Sequence, residues 1–415
     1  MKKLYIILLF FLLIPFVPKF GSVDVIGPQW LLFSIFNLSF IIYNFFSSGN
    51  TKFIFYKSFL FKLYAFFFLL ILLSVLYSVN LNLTIHDIAR DINVFLLFCN
   101  FLVFVRHKSI SFYYVSIVFS FILLLEVAFS LQTILKDFFK DGLEVFDYTR
   151  INLNAFLGIA GNKNIVAASI VFKLPFLFYF LYHSKKFLSI FFSFFFLIFI
   201  SFNISVLSAR AALLSFVFIS LSFSCYLLYK KHLIKFFSFL LSISIGVYIS
   251  ILFIPSNDNN PITRLSTIEV SNESSSFRLE LWEDAFGYSL DKIFIGSGRG
   301  SWKIESSQFW KDHGREYLVP YHAHNDFLEI GTELGWLGML TYLSIFLFSF
   351  LFLLKNFLIN KGPFSFFLFL ALSVYFVDAF FNFPMERPLM QIPFAIILFI
   401  ITSLELNINT LSDEY

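Results

Sequence analysis

The sequence predicts an all-α polytopic membrane protein with about twelve transmembrane helices and one large polar loop, and three observations carry that prediction. Of 415 residues, 59% are hydrophobic and only 13% are charged, whereas soluble domains carry about 25% charged residues. Apolar runs recur near 4–17, 28–46, 58–78, 91–105, 110–131, 164–182, 187–205, 210–229, 234–254, 335–354, 363–381 and 388–405. Their lengths suit helices, because barrel strands are short and alternate polar with apolar residues. The 67 phenylalanines read as lipid-facing residues rather than as an aromatic binding site.

The first run, MKKLYIILLFFLLIPFVP, resembles a signal peptide but has no small-x-small cleavage site, and it reads as an uncleaved first helix. The stretch 187–229 is broken only around 205–210 and predicts a tight helical hairpin. Cys99 and Cys225 fall inside apolar runs, as buried small hydrophobes rather than a disulfide or metal pair.

Lysines set the expected orientation. Lys2 and Lys3, Lys52 and Lys57, Arg106 and Lys108, Lys185 and Lys186, Lys230, Lys231 and Lys235, then Lys355 and Lys361 occupy alternate connections. The positive-inside rule then makes both termini cytoplasmic. The expected organisation is nine helices over 1–254, a large periplasmic loop containing short helices over 255–334, three helices over 335–405 and a short cytoplasmic tail, 406–415.

Arginines follow the opposite pattern. Only Arg106 falls inside, while Arg90, Arg150, Arg210, Arg264, Arg278, Arg299, Arg315 and Arg387 fall on the outer side or its boundary. The length of the loop accounts for Arg264, Arg278, Arg299 and Arg315, but not for the others. A guanidinium grips phosphate through two parallel hydrogen bonds, whereas lysine is a hydrated point charge. An anionic ligand at the outer surface is therefore expected; nothing points to nucleic acid.

The polar loop holds the candidate chemistry. Ser274, Ser275 and Ser276 offer caps for a helix over 277–289, with Arg278 and Trp282 one turn apart on one face. That face could equally rest on the membrane surface with Arg278 paired to a glutamate. Gly296-Ser297-Gly298-Arg299-Gly300 lacks the strand and helix of a nucleotide loop and reads as a tight turn of close backbone approach. In His322-Ala323-His324-Asn325-Asp326, Asp326 and Glu329 have capping-box spacing, which sets His324 just before a helix N-terminus that attracts anions. Zinc binding by His322 and His324 with His313 or Glu329 lacks a recognised ligand spacing, so no metal or other cofactor is expected. Within the spans, Glu126, Lys173 and Asp378 are either functional or paired for packing, and the sequence leaves both open.

Four blocks resemble the O-antigen ligase and polymerase superfamily of bacterial membrane glycosyltransferases: Gly161-Asn162-Lys163-Asn164; Ser208-Ala209-Arg210-Ala211; Ser276-Phe277-Arg278 through Trp282 with Gly296-Ser297-Gly298-Arg299-Gly300; and His324-Asn325-Asp326-Phe327-Leu328-Glu329 running on to Glu333-Leu334-Gly335-Trp336-Leu337-Gly338. The resemblance covers roughly 150–355. It implies a GT-C-like helical fold in the inner membrane, with a periplasmic site that moves a glycan from an undecaprenyl-diphosphate-linked donor to a lipid A-core or glycan acceptor. It also implies that Arg210 and Arg278 hold the diphosphate and that His324 is the essential histidine; beside these, Arg150, Arg299, His322, Asn325 and Asn164 stand as secondary candidates. Arginines can stabilise a departing diphosphate without a metal, and the His324 imidazole can either accept the acceptor's proton or donate to the diphosphate and orient it. Attack opposite the diphosphate inverts the anomeric centre. Ligase and polymerase are equally compatible with these residues, and a protein side chain as acceptor would instead make an oligosaccharyltransferase, which the sequence does not separate from them. A non-catalytic glycan-lipid flippase is the rival of another class, but it is expected to spread charge through paired halves rather than gather it in one loop.

Overall fold

The computed structural model of the chain describes residues 2–47, 55–105, 110–138, 159, 161–253, 273–310, 320–360 and 362–406. Among these residues the regular structure is helical: α1 (Lys2–Leu13), α2 (Ile26–Ser47), α3 (Phe59–Leu73), α4 (Leu81–Val105), α5 (Phe112–Phe138), α6 (Lys163–His183), α7 (Phe187–Leu207), α8 (Arg210–Tyr229), α9 (Leu233–Phe253), α10 (Glu273–Asp291), α11 (Trp302–Trp310), α12 (Asp326–Asn360), α13 (Pro363–Phe381) and α14 (Pro388–Glu405). Every one of the twelve apolar runs becomes a helix. Eleven helices, α2 to α9 and α12 to α14, are long and apolar enough to cross a membrane. At 12 residues, α1 rises about 18 Å against a hydrocarbon core of about 30 Å.

Caps explain where several helices begin. Asn80 Oδ1 accepts from the Leu83 N–H at 3.1 Å and starts α4 ten residues before its apolar run, so Asp87, Arg90 and Asp91 become helical. Asn162 Oδ1 accepts from the Asn164 N–H at 2.9 Å and opens α6. Between α7 and α8 the chain turns at Ser208, in left-handed conformation with φ 51°, and Arg210 follows as the first residue of α8. The hairpin expected around 205–210 is present. Helix α10 starts at Glu273 rather than at 277, so the serines expected as its caps lie inside its first turns. Cys225 is exposed on α8 and not buried as expected, because the apolar run around it turns that face outward.

Helices α6 and α14 form the centre of the bundle and are buried along nearly their whole length. Glu126 on α5 and Lys173 on α6 meet inside it at 2.8 Å, each 1% exposed. Ser169 Oγ donates to the same carboxylate at 3.2 Å and accepts from Lys173 Nζ. Of the two readings open for this pair, the structure shows internal pairing; Asp378 instead lies near Arg278, in the site below.

The α10–α11 segment is stitched onto the bundle by backbone. The N–H groups of Ser297 and Gly298 donate to the carbonyls of Thr332 and Glu333 at 3.0 and 2.9 Å, and the Trp336 N–H donates to Ile293 O at 2.9 Å. Gly298 and Gly300 have φ of 97° and 76°; a Cβ on them would fall 2.7 Å from Ser78 Cα and 2.5 Å from Asp87 Oδ2. The tight turn expected there is what forms, because only glycine allows both the dihedral and the approach.

The buried pair generates a stability prediction. Lys173→Met leaves Glu126 uncompensated inside the bundle and should cost about 3–5 kcal/mol, whereas Glu126→Gln with Lys173→Met should recover most of that loss. Denaturant titration of the purified variants reads both, and equal stability of single and double variants would contradict it.

Candidate active site

One end of the bundle gathers two groups of polar side chains. The first is a buried ionic lattice centred on Arg299, which is 3% exposed. Its Nε donates to Asp91 Oδ2 and its Nη1 to Glu333 Oε2, both at 2.8 Å, and Nη2 lies 3.6 Å from Glu386 Oε1. These carboxylates come from α4, from α12 and from the 3-10 turn Pro384–Glu386. Lys303 on α11 reaches Asp87 at 2.7 Å and Glu386 at 3.5 Å, and Arg90 reaches Glu386 at 2.5 Å. Burial alone would push the Arg299 guanidinium below its ordinary value, but the four carboxylates around it hold it well above. Burial likewise raises Glu386, yet Lys303, His322, Arg299 and Arg90 outweigh it and hold that carboxyl well below the usual glutamate range.

The second group contains the histidines and two arginines. Asn325 caps α12, its Oδ1 accepting from the N–H groups of Phe327 and Leu328 at 3.0 and 3.1 Å. Asp326, expected as the cap, sits one residue further on as the first helical residue and accepts from the Met385 N–H at 3.3 Å. Glu329 reaches back past both, to the Ala323 N–H at 2.9 Å and to His322 Nδ1 at 3.0 Å. Either Asn325 or Asp326 is a good cap; Asn325 wins because Asp326 is drawn to the α13–α14 connection.

The two histidines share Phe383. His322 stacks on its ring at 4.3 Å between centroids, and His324 meets it edge-on at 5.0 Å. Burial pushes His322 down, but Glu329 and Glu386 overcome this, and its value is raised. His324 stands in the left-handed region at φ 52°, a conformation a non-glycine residue holds only when its surroundings impose it. Burial, then the Arg278 and His322 charges, lower it to about 4, so the ring is neutral at pH 7. Its Nδ1 is buried with no hydrogen-bond partner among the described residues.

Arg278 is lowered by burial and then by the like charge of Arg210, with Asp378 opposing both. Trp282, one turn along α10, packs against Phe380 and Phe381 at 5.4 and 6.0 Å, which docks the Arg278 face over the end of α13. The shared face expected of Arg278 and Trp282 is thus turned to the bundle, not to a neighbouring glutamate. Arg210, Arg278 and His324 come from α8, α10 and the entry to α12; Arg278 feels the charge of Arg210, and His324 feels that of Arg278. Two guanidinium groups close together beside a neutral imidazole suit an anionic ligand with a proton to give away.

Below Arg210 an apolar trough of about 450 Å³ runs between α8, α12 and α13. Leu214 and Phe218 line it one and two turns from Arg210, facing Phe350, Phe369 and Phe376.

The remaining candidates separate by position. Arg299 belongs to the ionic lattice, and its three donor positions face carboxylates. Asn164 lies in the first turn of α6, and Arg106, Arg150, Arg264, Arg315 and His313 lie outside the described residues. Potential metal-ligand atoms of His322, Glu329 and Glu386 lie within 4.8 Å of one another. Arg90, Lys303 and Arg299 already supply Glu386 with positive charge, so this trio is a poor fit for a cation. Sequence reasoning missed Asp87, Asp91, Lys303, Phe383 and Glu386. For the last two, the signal was the polar and proline-rich run Asn382-Phe383-Pro384-Met385-Glu386-Arg387 between two apolar spans.

Residues 194–343 match a family model described as O-antigen ligase, so that segment is similar to the O-antigen ligase family. The match includes Arg210, Arg278, Arg299, His322 and His324. No curated protein matches the chain.

Two outcomes follow from the lattice. Arg299→Met strands Asp91 and Glu333 and should destabilise the protein by about 3–5 kcal/mol; an unfolding midpoint near wild type would show that the lattice does not hold the loop. Glu386, depressed in the fold, contributes stability above the unfolded glutamate value of about 4.3 that is lost as pH falls further. His322, raised in the fold, contributes stability fully present below about 6.5 that is lost as pH rises through its folded value. His322→Gln should therefore flatten the alkaline limb of a stability–pH curve and, by removing one of the charges that hold Glu386 down, make the acid limb shallower.

Proposed function

We propose that this chain, whose residues 194–343 match the O-antigen ligase family model, transfers a glycan from undecaprenyl diphosphate to an acceptor hydroxyl at the periplasmic face of a bacterial inner membrane. The observation that carries this reading is the convergence of Arg210, Arg278 and His324 at one end of the bundle. The lysine pattern assigns that end to the periplasm, where no nucleotide sugar is at hand. A lipid-linked donor then supplies the activated glycan.

Each part has a task. Arg210 and Arg278 hold the diphosphate and stabilise the negative charge that gathers on it as the glycosidic bond to phosphate breaks. The polyprenyl chain leaves the arginines through the trough lined by Leu214 and Phe218. His324 accepts the proton of the attacking hydroxyl, whose oxygen bonds to the anomeric carbon from the side opposite the diphosphate, with inversion. Arg299 acts from a distance by fixing the loop. Donor binding also tunes the base: the diphosphate offsets the Arg278 charge that depresses His324, so the imidazole becomes a stronger proton acceptor once the donor is bound. Lipid A-core is the acceptor proposed for a ligase, and a growing glycan is the acceptor for a polymerase.

Purified protein in liposomes with added donor and acceptor tests the reading; lipid movement without a new glycosidic bond would identify a flippase instead. Glycans of a deletion strain separate the two enzymes, with long unligated chains on the carrier expected for a ligase and single capped repeats for a polymerase. Arg278→Lys should lower kcat by about 10²-fold or more although the charge is kept, because the paired hydrogen bonds are lost. His324→Ala should abolish transfer while leaving membrane insertion intact, and normal surface polysaccharide in that strain would remove it from the mechanism. The acid limb of kcat/KM should fall near His324's value of about 4 and that of kcat at higher pH, since the two report free and donor-bound enzyme.

A further inference from the structure

At the opposite end of the bundle, α7 and α9 form a groove that the transfer chemistry does not use. The two helices touch at Gly246, where a Cβ would fall 2.0 Å from Ser201 Oγ and 2.3 Å from the Ile198 carbonyl oxygen. From that contact an open cleft of about 810 Å³ runs along the two helices toward Phe187 and Leu233. Phe187, Phe191 and Phe195 line one wall, and Ser238, Leu241 and Ile245 line the other. The groove is blind at its inner end. From Leu233 to Ile245 it descends about 18 Å at 1.5 Å per residue, close to half of a hydrocarbon core about 30 Å thick. A transmembrane helix needs the whole thickness; a single acyl chain needs one leaflet.

The mouth is basic and has no opposing charge nearby in sequence. No aspartate or glutamate occurs anywhere in 148–257, which includes α6, α7, α8 and α9 whole. Lys231 and His232 line the mouth, and Lys186 stands at the start of α7 beside Phe187, with no capping hydrogen bond from its side chain. Lys235 is already committed: its Nζ donates to the carbonyls of Leu181, Tyr182 and Ser184 at 2.8, 2.8 and 3.0 Å, and only its stem borders the groove. Lys230 lies over the rings of Tyr226 and Tyr229. Lys186 and Lys231 are exposed and make no ion pair with a described residue.

We infer that the α7–α9 groove is a binding site for an anionic phospholipid, with one acyl chain in the apolar cleft and the phosphate between Lys186 and Lys231. Depth, apolar walls and the carboxylate-free mouth select this occupant over a zwitterionic lipid or a partner helix. This end is the one the lysine pattern assigns to the cytoplasmic leaflet, where two lysines near a negatively charged surface contribute most.

Native mass spectrometry of the detergent-purified full chain, titrated with phosphatidylglycerol or phosphatidylcholine, tests the site. Phosphatidylglycerol should be retained in preference, and Lys186→Gln with Lys231→Gln should weaken its binding about 30-fold, to the level of phosphatidylcholine. Ser238→Trp, which fills the groove and keeps every charge, should lose the bound lipid while the chain elutes as a folded species. Equal retention of the two lipids by the wild type, or undiminished preference in the lysine double variant, overturns the proposal. A dimer that Ser238→Trp dissociates would assign the groove to a second copy and overturn it as well.

Discussion

A guanidinium buried among carboxylates from three separate elements is the constraint on which the rest of this molecule depends. Arg299 joins α4, α12 and the α13–α14 connection at one point. Its own backbone is held too: its N–H donates to Ser74 Oγ at 3.2 Å, and its carbonyl accepts from Thr84 Oγ1 at 2.7 Å. A charge in that place is tolerable only when every partner is present, so the lattice specifies one arrangement of loop on bundle and penalises others. The position of α10, and with it the meeting of Arg278 with Arg210, follows from where that lattice pins the turn between α10 and α11.

Much of this architecture was legible in the sequence, for identifiable reasons. Long apolar runs have few alternatives to helices, and the break at Ser208 stood out because it interrupted one of them. The glycines flanking Arg299 announced a close backbone approach before the approached atoms, in Ser78 and Asp87, were known. The His-Asn pair before an acidic apolar helix pointed to the entry of α12, although the cap fell one residue earlier than expected.

What stayed hidden was pairing at long range. Arg299 and Asp91 are 208 residues apart, and no local pattern links them. From sequence alone Arg299 looked like one more outward arginine, a secondary candidate beside Arg210 and Arg278. Burial and carboxylate company separate them: Arg299 is saturated by protein, while Arg278 faces a like charge. Glu126 and Lys173 could not be told from working groups until they were seen to satisfy each other.

Phe383 has a consequence of its own. One phenyl ring touches both imidazoles, flat against His322 and edgewise to His324, and it sits three residues before Glu386. That carboxylate is clamped by Arg90 and Lys303, so the ring inherits its position from ion pairs made three residues further along the chain. An aromatic hinge-plate thus conveys the registry of a neighbouring electrostatic clamp to two heterocycles at once, and their mutual orientation becomes a property of the bundle rather than of the strand of backbone that bears them.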